Sequence, residues 1–122
     1  APSEMCIRDR PLAALQVIAQ VIDGQLKTLE DQSIALQQAS DRPSSMDDRT
    51  IEHLLKVFAE TKQLMPIYDL QIEFWRERCS PSPAQQREID RLATQNAKSH
   101  SAIELILALA TKIKTESILV DL

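Results

Sequence analysis

Two histidines, two cysteines and eighteen acidic residues are the side chains of this chain best suited to chemistry. His100 and Glu104 stand one helical turn apart, a spacing that can place an imidazole and a carboxylate on one metal ion. No further Cys, His or carboxylate clearly completes that ligand set, and the pair also reads as the exposed polar face of a helix. His53, beside Glu52, has the residue type of a phosphoryl acceptor on a helical surface, but its surround, "EHLLKVFAE", contains no glycine. Cys79 has Arg76 and Arg78 as near neighbours and no general base to make it a nucleophile. A loop that cradles phosphate needs several glycines, and Gly24 is the single one. The carboxylates are spread along the chain and single out no acid/base pair. The expectation is a non-enzymatic protein with no catalytic residues, no cofactor and no metal.

The bulk composition points the same way. Formal net charge is −4 and pI about 5.1, whereas a general nucleic-acid binder needs a basic face to displace counterions. No nucleic-acid partner is therefore expected. The densest apolar block, "AIELILALA" at 102–110, is far short of a bilayer span and contains Glu104, so no membrane span is expected either. Two cysteines make no disulfide framework, and the first ten residues hold no apolar core of a secretory signal. The cytoplasm is the default location.

The elements that would position these residues are helices. One glycine, 3% aromatics and abundant Leu, Ala and Gln favour long helices with few tight turns. From Pro11 a stripe runs through Leu12, Leu15, Ala19, Ile22, Leu26, Leu29, Ser33 and Leu36, with gaps of 3 and 4 in alternation. "ASDRPSSMDD" at 39–48 breaks it, and Asp47 or Asp48 can cap the second helix. A second stripe joins Ile51, Leu54, Phe58, Thr61, Met65, Tyr68, Ile72 and Trp75. Pro66 lies inside it and is expected to kink rather than end the helix, since the stripe continues in phase. "CSPSPAQQ" at 79–86 is the second break, with Ser82, Pro83 and Gln85 in the order of an N-cap, a first helical residue and a capping-box partner. The third stripe runs through Ile89, Leu92, Asn96, Ser99, Ile103, Ile106, Ala110, Ile113, Ser117 and Val120. The expectation is all-α: an elongated antiparallel three-helix bundle with coiled-coil-like packing, its helices at about 11–39, 47–78 and 83–118.

Two segments carry more apolar surface than one seam uses: nine of eleven residues at 12–22 and eight of nine at 102–110. Either the two pack together in a thick core or they offer a surface to a partner. The apolar chain end, "TESILVDL", adds to that surface. Asn96 and Ser99 interrupt the third stripe. Either they set register or oligomeric state from within the core, or they lie near a bundle end and reach water.

"LLKVFAETKQLM" followed by "RLATQNAKSHSAIELILALATKI" resembles the FlgN family of flagellar export chaperones. Leu54, Glu60, Lys62 and Leu64 fill the middle element, with Thr61 standing between Glu and Lys, and Leu92, Asn96, Ala97, Ile103, Leu107 and Ala110 fill the last. The resemblance implies a small cytosolic binding protein that keeps hook–filament junction subunits soluble and delivers them for export. In that family the C-terminal helix engages the client, which places the expected contact face on Ile103, Ile106, Leu107, Ile113 and Leu119. The partner would be a protein client presenting an amphipathic helix. A self-associating coiled-coil subunit is the alternative, and a homo-oligomer is compatible with both. A histidine phosphotransfer bundle acting through His53 is a third reading. The opening "APSEMCIRDR" has no helical period, and its run at 3–9 resembles a translated stretch that recurs at the ends of unrelated proteins from assembled environmental reads. Residues 1–10 are read as a non-native or disordered leader, and 11–122 as one helical domain.

Overall fold

The structure, a computed structural model, describes residues 12–42 and 46–121, with side chains as far as Glu116. The expected leader at 1–10 and the side chain of Leu119 lie outside the described residues. A short 3-10 turn, Leu12–Ala14, leads into α1 (Leu15–Ser40). The middle segment is two helices, α2 (Asp48–Leu64) and α3 (Pro66–Arg78), and the last is α4 (Pro83–Asp121). The described residues are thus all-helical, in three long segments, and α4 with its 39 residues extends about 58 Å.

The helix starts follow from local chemistry. Asp47 Oδ1 accepts the Thr50 N–H at 2.7 Å and caps α2. The start of α4 is a reciprocal capping box: Ser82 Oγ accepts from the Gln85 N–H at 3.2 Å, and Gln85 Oε1 accepts from the Ser82 N–H at 2.8 Å. At Pro66 the missing N–H removes one rung of the ladder, and the segment divides at Met65. Met65 keeps helical angles (φ −60°, ψ −35°), although a residue before proline is biased away from them. Its N–H bonds the Thr61 carbonyl at 3.1 Å and its side chain is fully buried. The apolar stripe therefore crosses the break in phase, from Phe58 through Met65 to Ile72.

The three stripes are the core. Leu15, Ala19, Ile22, Leu26, Leu29 and Leu36 are buried on α1, and Ile89, Leu92, Ile103, Ile106, Ala110 and Ile113 on α4. The core falls into two clusters. One joins Leu15, Ala19 and Ile22 to Ile72, Trp75, Ile89 and Leu92. The other joins Leu29 and Leu36 to Ile51, Phe58, Met65, Ile103, Ile106 and Ile113. The apolar-rich segments 12–22 and 102–110 consequently do not meet, against the expectation that they pack on each other. Low numbers of α1 lie beside low numbers of α4, so each segment belongs to a different cluster.

Ion pairs record the register. Between the middle segment and α4, Glu52 meets Lys114, Lys62 meets Glu104, and Arg76 meets Asp90, so one number falls as the other rises. Between α1 and α4, Asp23 takes both Arg91 terminal nitrogens at 2.9 and 3.0 Å. Exposed pairs of this kind contribute little stability, but they discriminate against slipped alignments.

Candidate functional site

A polar layer lies between the two apolar clusters. Along α4 it is the step from Leu92 to Ile103, occupied by Asn96 and Ser99, both fully buried. Asp69 on α3 faces the same level. Asn96 donates from Nδ2 to Asp69 Oδ1 at 2.5 Å, and His100 Nε2 stands 2.7 Å from Asp69 Oδ2. One carboxylate of α3 thereby gathers two side chains of α4 that stand one turn apart. The layer is incompletely satisfied: Asn96 Oδ1 and Ser99 Oγ are sealed from solvent with no hydrogen-bond partner among the described residues, as is Gln25 Oε1 on α1. Asn96 and Ser99 therefore do not reach water at a bundle end.

His100 and Glu104 share no ligand. His100 turns to Asp69, and Glu104 takes Lys62 Nζ at 2.6 Å. Among the described residues no group of three His, Cys, Asp or Glu is arranged to hold a metal ion. His53 is exposed on α2, next to Glu52, whose carboxylate faces Lys114 at 3.7 Å. Among the described residues no helix is long and apolar enough to cross a membrane.

Three carboxyls outside the polar layer are held below the ordinary carboxylate range. The Arg91 guanidinium does this to Asp23, the Thr50 N–H to Asp47, and the Arg76 guanidinium to Asp90. Arg91 in turn holds its proton more firmly because Asp23 and Glu88 accept from it.

Of the contact face expected on α4, Ile103, Ile106 and Ile113 are 0% exposed, packed inside the second cluster. They do not form a surface in this state, because the seam that would greet a partner is already filled by α1 and α2. Leu107 is half-buried at the edge of the same cluster. The surplus apolar surface that stays open lies elsewhere. Leu64, Ile67 and Leu70 are 58%, 58% and 63% exposed, flanking Pro66 on the middle segment. Val17 and Val21 are exposed on α1, and Leu105 on α4. Hydrophobicity at 64, 67 and 70, in steps of three residues, is legible in the sequence, but those positions lie outside the core stripe and its period does not single them out. Leu70 lines a shallow groove with Glu73, Phe74, Glu77 and Arg78, and a separate groove of about 400 Å³ between α3 and α4 is lined by Asp69, Ile72, Glu73, Arg76, Glu77 and Ala93.

No family model, no curated protein and no solved structure matches this chain.

Proposed function

We propose that this chain is a non-enzymatic helical binding protein of the export-chaperone kind, an antiparallel three-helix bundle with coiled-coil-like packing that masks an amphipathic helix of a client protein. The observation that carries the reading is the open aliphatic stripe of Leu64, Ile67 and Leu70, each more than half exposed on a chain whose core is already filled. Large aliphatic side chains at helical spacing are what an amphipathic client helix would cover. The opposed order of the ion pairs between the middle segment and α4 supports the antiparallel arrangement. The resemblance to flagellar export chaperones names the client class, subunits of the hook–filament junction, and implies a cytosolic site of action.

The test is co-purification with hook-associated subunits, using the native chain and an Ile67→Asp/Leu70→Asp variant. The native chain should retain the subunit. The variant should fold with unchanged helicity, because both positions are exposed, and lose it. Retention of the subunit by the variant would remove the stripe from the reading. Light scattering tests the rival assignment: a stable homo-oligomer without client would favour a self-associating coiled-coil subunit.

A further inference from the structure

α2 sends two residues, Ile51 and Phe58, into the buried core, as α3 does with its apolar Ile72 and Trp75, whereas α1 sends six. α3 is in addition tied to α4 through Asp69, which takes Asn96 and His100. On α2, Leu54 and Leu55 are half-buried beside Ile51 and Phe58. The ion pairs of α2 to α4, Lys62–Glu104 and Glu52–Lys114, are exposed. At the C-terminal end of α2, Pro66 interrupts the backbone ladder to α3. The polar layer of Asp69, Asn96 and Ser99 separates the cluster under α2 from the cluster that holds α3 to α1 and α4. Lifting α2 would uncover Leu29, Leu36, Ile103, Ile106 and Ile113 without opening the cluster around Trp75.

We propose that α2 is a displaceable cover, hinged at Met65–Pro66, over a groove that takes an amphipathic helix of a protein partner. The groove states its requirements through the helix that now fills it. The occupant runs opposite to α4 and carries apolar residues at i, i+3, i+7 and i+14, as Ile51, Leu54, Phe58 and Met65 do. It carries a base where Lys62 meets Glu104 and an acid where Glu52 meets Lys114. The inference rests on the binding reading and adds a second, latent surface to the open stripe. It also accounts for how Ile103, Ile106 and Ile113, buried in the closed state, become available to a partner.

Two measurements on the full chain test it. In native-state hydrogen exchange, the α2 amides should exchange about 100-fold faster than those around Ile22 and Ile89, because α2 opens alone. Equal protection, with α2 exchanging only in global unfolding, would overturn the proposal. In the second, a fluorescent synthetic peptide of residues 47–65 is titrated onto the chain. Saturable one-to-one binding is expected, tightened about 10-fold when the chain carries Phe58→Ala, since the closed state then competes less. Binding that is absent, or equally strong for a peptide with Phe58→Asp, would overturn it. If the Phe58→Ala chain fails to fold, as circular dichroism would show, the exchange of the native chain decides. Fast α2 exchange without capture of any hook-associated subunit sinks the chaperone reading and leaves the cover. Capture by a chain whose α2 never opens alone sinks the cover and leaves the chaperone reading.

Discussion

Ser99 places a hydroxyl at a fully buried seam position with no partner among the described residues. An unpaired buried hydroxyl costs roughly 1–3 kcal/mol. Ser99→Ala should therefore raise stability by about 1 kcal/mol, seen as a higher urea midpoint with an unchanged slope. Asn96 differs, because its amide donates to Asp69 and so ties α4 to α3. Asn96→Leu would relieve the buried Oδ1, but it leaves Asp69 without one donor and removes a polar device for register. Gly24 is helical and exposed, and a Cβ built there meets nothing within 4 Å. Gly24→Ala should stabilise by about 1 kcal/mol, because alanine gives up less backbone freedom in a helix. A thermal midpoint unchanged or lowered in that variant would show that the site is not the open helical position described.

At the scale of the element, the start of α4 depends on the exchange of two hydrogen bonds between Ser82 and Gln85. Ser82→Ala removes the side-chain acceptor for the Gln85 N–H and should cost about 1 kcal/mol. Hydrogen exchange should show the loss concentrated in the first turn of α4. The break at Pro66 acts in the opposite sense. Pro66→Ala restores an N–H to a segment whose residues on both sides are already helical. It should join α2 to α3, stabilise the fold by about 2 kcal/mol, and slow the exchange of the α2 amides. A variant that leaves α2 exchange untouched would place the hinge elsewhere.

For the whole molecule, acid sensitivity follows from the carboxyls that pair across helices. Asp23 and Asp90 have folded pKa values below their unfolded ones, chiefly because Arg91 and Arg76 donate to them. Their stabilisation is present above the unfolded value, about 3.9, and is lost as pH falls through the lower folded value. The urea midpoint should hold from pH 7 to about pH 5 and decline below about pH 4. Asp23→Asn should flatten part of that decline, by a modest amount because the pair is partly exposed to solvent and screened. A midpoint equal at about pH 3 and about pH 6 would mean these contacts contribute nothing to stability.

The alternation of threes and fours along residues 15–36, 51–75 and 89–113 marked most of the buried side chains, because a helix has one period and one face turned from water, although Ser33, Leu54, Thr61 and Tyr68 on the stripes are only half-buried and Gln71 is buried off them. The caps at Asp47 and Ser82 were equally legible, since they act within three residues. The surface a partner would touch was not. A seam that packs inside one chain and a seam that awaits another have the same period, so Ile103, Ile106 and Ile113 read alike in either role. Only the tertiary structure placed them inside, under α2. It alone decided that Asp23 meets Arg91 across 68 residues and that Asp69 gathers Asn96 and His100. Such contacts depend on the direction and stagger of one helix against another, and no local pattern encodes that.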